Sequence, residues 1–429
     1  MSARAAAAAA ALLVIVTSCT GSPVATKHHQ EQPGPTAPTK NGLQIAAERH
    51  TIAERILRAR SRAVREHDQL AWLAPLDPSN TALVQRERRL FANLSRLPLQ
   101  VFTLHANKEW TWPDGFAKDT YAATAYLPYV EQRMRLRGFD SEPVTAVYSY
   151  TFAEVDGRWR IVADDDVTDQ AGQSNGTLPW DVAAIRVHRT RHALGIFDAG
   201  SDGEAGRLMA AAESSVHRVR AAVPGRWPGR VVFYALSDDG LLEGMGEKYL
   251  DAAAVAFPVP DNSMWWDHVA GTRVMINPAA LPRSSGEAVY LLSHEVTHVA
   301  LAREGETTPT WLQEGLAEYV ATGGADRPGW QPAPSAVEKA SEGVTAMPGS
   351  TFFGDEDPAF DYDLSLAACT VIARTYGEDR LWDFLDRMAK AGRDGDREAH
   401  TDPVLRRMFG IGEKTLARKA AALIVAAYA

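Results

Sequence analysis

Residues 294–298 read His-Glu-Val-Thr-His inside the apolar stretch LLSHEVTHVA. On a helix, positions i and i+4 share one face. His294 and His298 can therefore aim two imidazoles at one point. Glu295 is turned about a third of a turn away, within reach of a water held there but not placed to be a ligand. Two ligands and a base on one rigid element are what zinc chemistry needs from an H-E-x-x-H pattern. The same five residues also arise by chance on core helices, so the pattern needs a third ligand from elsewhere. That need constrains the fold: a second element must lie against this helix and deliver an acid, a histidine or a thiolate.

Glu314 meets the need. In TWLQEGLAEYVA, residues Trp311, Leu312, Leu316 and Tyr319 give a helix its apolar face, with Glu314 and Glu318 one turn apart on the other side. Glu314 can complete a His-His-Glu set and leave a fourth position open. Glu318 can accept the second ring N–H of a ligand histidine and fix its tautomer. The alternative is two solvated glutamates. The run Ser284-Ser285-Gly286-Glu287 offers a capping box for the start of the histidine helix.

The N-terminus, MSARAAAAAAALLVIVTSC, joins Arg4 to an apolar run over residues 5–16 and small residues before Cys19. It reads as an export signal, too short for a comfortable membrane span. The ending Val16-Thr17-Ser18-Cys19 is similar to a bacterial lipobox, which implies a lipidated Cys19 and a place on the extracytoplasmic face of the cell membrane. An ordinary signal peptide cut nearby is the alternative. A net charge of −9 with no long basic block argues against nucleic acid as a partner. Cys369 lies in a helical pattern and reads as a small buried hydrophobe.

Residues 1–19 are thus a lipoprotein signal peptide and 20–42, rich in Pro, Thr, Gly and Gln, a disordered tether. Its His28 and His29 are a solvated pair or a weak metal site. Residues 43–168 form an α+β domain, 169–180 a linker and 181–429 a second domain. In the first, periodicity predicts helices over 45–73 and 80–94, the latter capped by Ser79 or Asn80. Strands follow over 97–110, 119–134 and 142–166, with a hairpin at Asp156-Gly157. Arg49, Arg55, Arg58, Arg60, Arg62 and Arg65 stud the first helix, as a solvated face or a contact for an anionic membrane. Asp164, Asp165 and Asp166 are a solvated loop or a calcium site. The second domain is expected to contain a strand pair (183–197), a helix (204–223), and strands over 230–236, 251–259 and 272–281. Two helices and a helical C-terminal part complete it.

The two helices and the meander ending in DGRWRIVADD resemble the SnoaL-like, cystatin-like cone fold. HEVTH at 294–298 and WLQEGLAEY at 311–319 resemble gluzincin metallopeptidases of the peptidase MA-like kind, relatives of thermolysin and the gluzincin aminopeptidases. The fold class implied is α+β: a cone-like domain, then a mixed sheet with an antiparallel edge strand, zinc-binding helices and a helical C-terminal part. The resemblance implies Zn2+ on His294, His298 and Glu314, with Glu295 as the base of a zinc-activated water. In FDYDLSLAACTVIARTYGED, Tyr362 matches a tyrosine that donates to the tetrahedral oxyanion; the other reading makes it a core residue, and Tyr376 is structural. The strand 272–281 is expected at the sheet edge, where Arg273, Val274, Met275 and Ile276 would pair with an extended peptide. Trp265 and Trp266 before it are pocket walls or packing. The G-x-M-E-N motif that holds a substrate's free amine in the aminopeptidases is missing, so endopeptidase action is expected. The chain reads as an exported, lipid-anchored zinc metallopeptidase acting on peptides or proteins. A metal-retaining binding or scaffold lipoprotein and a zinc amidase of a cell-wall component are the alternatives.

Overall fold

A computed structural model describes residues 40–121, 124–171, 178–225, 227–246, 249–261, 269–324, 330–349 and 357–428. The signal peptide with Cys19, most of the tether with His28 and His29, and Trp265 and Trp266 lie outside the described residues. The protein is mixed α/β with several sheets. No helix among the described residues is long and apolar enough to cross a membrane.

The N-terminal unit begins with α1 (Lys40–Glu66), α2 (Gln69–Leu73) and α3 (Thr81–Leu94). The single helix expected over 45–73 is broken: His67 takes φ 55°, and Asp68 then caps α2 by accepting the Ala71 N–H at 2.9 Å. Asn80 caps α3 as expected, accepting from Leu83. A three-stranded antiparallel sheet follows in the order β1 (Leu99–Thr111), β2 (Pro128–Leu136), β3 (Val144–Ser149). The hairpin β4 (Thr151–Val155) and β5 (Arg158–Ala163) turns on Asp156 and Gly157, both at positive φ as a two-residue loop demands.

Two charged groups differ from the sequence reading. Arg60 belongs neither to a solvated face nor to a membrane contact: it is buried, ion-paired to the buried Glu87 and stacked 3.5 Å above Trp72. The aspartates at 164–166 do not gather round a calcium position. Arg86 binds Asp164 and Asp165, and Asp166 accepts from Thr151 at 2.6 Å.

Short helices α4 (Asp166–Ala171) and α5 (Pro179–Val182) lead to a five-stranded sheet. Its strands are β6 (Arg186–Arg189), β7 (Ala193–Phe197), β8 (Val231–Ala235), β9 (Ala254–Pro260) and β10 (Val269–Ile276), in the order β6-β7-β8-β10-β9. Helices α6 (Ala205–Ala222) and α7 (Gly240–Met245) connect them. After the sheet come α8 (Ser285–Ala300), α9 (Ala302–Gly305), α10 (Thr310–Thr322), α11 (Pro334–Glu342), α12 (Pro358–Tyr376), α13 (Glu378–Ala391), α14 (Thr401–Phe409) and α15 (Glu413–Tyr428).

The strand over 272–281 is not at the sheet edge. β10, which holds Arg273, Val274, Met275 and Ile276, is an inner strand, parallel to β8 on one side and antiparallel to β9 on the other. Its backbone is spent on two neighbours, and Arg273 is buried in an ion pair with Asp140 at 2.7 Å. The edge is β9. Pro258 and Pro260 have no N–H to give a second neighbour, and prolines at alternate positions fit a strand paired on one side only.

Both faces of this sheet are covered, and its side chains alternate accordingly. Phe197, Phe233, Val274, Ile276, Ala254 and Ala256 pack with α6, α8, α10 and α12. Leu194, Ile196, Val232, Tyr234, Met275 and Val255 join one core with Leu57, Trp72, Phe102 and Met134 of the N-terminal unit. Trp180, at the end of the expected linker, is buried in that shared core. Asn93 ties the same segment down, donating to the carbonyls of Trp180 at 2.8 Å and Ala183 at 2.7 Å.

Candidate metal centre

Helix α8 starts as the capping box anticipates, with Ser284 accepting the Glu287 N–H at 3.2 Å. The Glu287 carboxylate accepts the N–H of Arg283, one residue before the cap. Pro309 opens α10, and Gly323, in the left-handed region, closes it. The two helices pack against each other on the sheet's helical face.

This packing brings His294, His298 and Glu314 together. His294 Nε2 lies 3.1 Å from His298 Nε2 and 3.2 Å from Glu314 Oε2, and His298 Nε2 lies 3.4 Å from that same oxygen. All three residues are buried. Glu318, one turn beyond Glu314, takes the other side of His294: its Oε1 is 2.9 Å from Nδ1, while its Oε2 accepts from the Tyr290 hydroxyl. Tyr362, near the start of α12, stands with its ring 6.3 Å from that of His294. Glu295 is fully buried at the same turn of α8.

The electrostatics favour a cation at the point of convergence. Burial by itself lowers the pKa of His294, but hydrogen bonds and charges from Glu314 and Glu318 outweigh it and bring it up to about 10. Burial also opposes ionisation of Glu314, yet the two histidines hold its carboxyl below the usual range. Glu295 goes the other way. Burial dominates and raises it to about 7, against the pull of His294, His298 and the Ala256 amide of β9. Beyond the Ala256 amide, the oxygens of Glu295 are buried without a hydrogen-bond partner, as is Oε1 of Glu314. Two imidazoles and one carboxylate, with acceptor atoms left over, suit a borderline-soft divalent ion.

Several contributors escaped the sequence reading. Tyr290 precedes His294 by one turn, so it shares the ligand face, and it orients the glutamate that orients the histidine. Gly315 follows Glu314 because α10 and α12 cross there: a Cβ would meet Ser365 O at 2.5 Å and Cys369 Sγ at 2.8 Å. Ser215 of α6 accepts from Ser293, beside His294, and donates to Val289 O, pinning α8 to α6. A cavity of about 20 Å³ bounded by Thr308, Gln313 and Leu385 lies against His298, with room for one water. No known protein family matches the chain, and no characterised protein matches it in sequence.

Proposed function

We propose that the chain is an exported, lipid-anchored zinc metallopeptidase of the gluzincin kind, with zinc held by His294, His298 and Glu314. The observation that carries this reading is the convergence of three buried ligand atoms from α8 and α10 beside a second buried acid, Glu295. Zinc, when bound, supplies Lewis acidity toward a scissile carbonyl. Glu295, held near neutrality by burial, takes the proton of the attacking water and hands it to the leaving amine. The Tyr362 hydroxyl donates to the oxyanion, and Glu318 keeps the His294 ring in position. The substrate is an extended peptide or protein segment. The N-terminal unit, similar to a cystatin-like cone, backs the sheet from its other face. Anchorage rests on Cys19 and the export signal.

Metal analysis combined with a peptide-library digest tests the reading. Glu295→Gln should keep zinc and lose cleavage, and His294→Ala should lose both. Zinc retained by His294→Ala, or cleavage surviving in Glu295→Gln, would overturn it. A second reading, a binding lipoprotein that keeps its metal, is favoured by the complete burial of His294, Glu295 and Glu314. Zinc bound without Glu295-dependent cleavage of any peptide or peptidoglycan fragment would establish that reading. Cleavage confined to peptidoglycan fragments would establish a zinc amidase.

A further inference from the structure

A second cluster of metal-ligand type lies on the opposite side of α6 from the α8 contact. Glu213 and His217 are one helical turn apart on α6, and His192 faces them from the turn between β6 and β7. One donor atom from each falls within 4.8 Å of the other two. Among the described residues only the His294 group shares this property. Glu213 is fixed: Oε1 accepts the His192 N–H at 2.7 Å and Oε2 lies 2.8 Å from His192 Nδ1. Thr190 and His192 both bond Glu213, and Thr190 bonds Ala193 across the turn; His217 takes no part in these hydrogen bonds. Yet the His217 ring stands edge-on to His192 at 5.3 Å, with Nε2 4.0 Å from the same Oε2.

We propose that His192, Glu213 and His217 form a second, weaker site for a transition-metal ion such as zinc or copper(II), stapling the β6–β7 turn to α6. Two imidazoles and a carboxylate select these ions over calcium or magnesium, which take oxygen ligands. Tetrahedral ligands at about 2.0–2.1 Å from zinc stand roughly 3.3 Å apart, so the 2.8 Å Glu213–His192 pair has to open slightly and His217 has to close on Glu213. His217 has the freedom to do this, since 69% of its side chain is exposed, and the same exposure leaves room for water to complete the shell. The neutral His192 ring enters by carrying its proton on Nε2 instead of Nδ1, with no net proton change. The ion would sit two residues from Ser215, whose hydroxyl meets Ser293 beside His294, so the staple stiffens the helix turn that supports α8.

The site is independent of the proposed activity and is tested on the full chain. Equilibrium dialysis against zinc should give one bound ion fewer for His217→Ala than for the wild type, with the His294 site still filled. Copper(II) electron paramagnetic resonance should show two imidazole nitrogens at this site, falling to one in His217→Ala. Glu213→Gln, which keeps the hydrogen bond to the His192 amide, should weaken binding by at least about tenfold. Equal zinc stoichiometry and unchanged copper spectra in wild type and His217→Ala would overturn the proposal.

Discussion

Gly315→Ala tests how the third candidate ligand is placed. The added methyl would meet the Ser365 carbonyl oxygen at 2.5 Å and its carbon at 2.8 Å, both backbone atoms that cannot swing aside. Ordinary contact starts near 3.4 Å, so α10 and α12 must separate by about 1 Å. Overpacking of this sort costs about 1–3 kcal/mol, and the backbone clash puts this case at the upper end. Alanine returns about 1 kcal/mol of helix propensity, leaving a net loss of roughly 2 kcal/mol. With an unfolding entropy of about 2.1 cal/mol/K per residue, that is a fall in Tm of about 2–3 °C. Glu314 moves with its neighbour, so zinc affinity measured by chelator competition should fall at least about tenfold. Adding Cys369→Ala removes the Sγ contact at 2.8 Å but not the carbonyl, and should restore only part of the loss. Gly206→Ala on α6, where a Cβ meets nothing within 4 Å, is the control and should stabilise by about 0.5–1 kcal/mol. A Gly315→Ala protein as stable as wild type with unchanged zinc affinity would refute the crossing argument.

Asp140→Ala should cost about 3–5 kcal/mol in urea unfolding, because it strands the buried guanidinium of Arg273. Glu318→Gln should keep the fold and lower zinc affinity about 10–100-fold, since the His294 Nδ1–H loses its charged acceptor. Asp181 accepts the Tyr148 hydroxyl at 2.8 Å, and burial pushes its carboxyl up to about 7. The folded chain therefore binds a proton that the unfolded chain releases near pH 4, and this contribution to stability is lost as pH rises from about 4 to 7. Asp181→Asn should gain about 1–2 kcal/mol at pH 7.5 in thermal unfolding, less than the full shift because the side chain is partly exposed, and nothing at pH 4.

The candidate site was legible because its geometry is helical and local. Spacing by four residues puts His294 beside His298 and Glu314 beside Glu318, and the Ser284 cap sets where α8 begins. That the two helices meet could be inferred only from the shared demand for a ligand. Sheet order depends on pairings distant in sequence, and the edge was assigned to β10 because that strand precedes α8. The prolines of β9 carried the better signal, since a missing N–H is a physical statement about neighbours. Charge counting failed at Arg60, where a residue grouped with surface arginines lies under an indole ring and against Glu87. Periodicity ran through His67 because a left-handed residue leaves no mark in a hydrophobic pattern.

The ion pair between Asp140 and Arg273 sets an order of events during folding. Synthesis delivers Asp140, in the turn after β2, long before β10 exists, so its carboxylate waits in water while its partner is made. The aliphatic surface around Leu57, Phe102 and Met134 waits too, for Leu194, Val232 and Met275. Contacts this distant are closed late and slowly. The N-terminal half is therefore the first part made but not the first part finished. A chain shortened to either half would display an uncovered hydrophobic face instead of an independent domain.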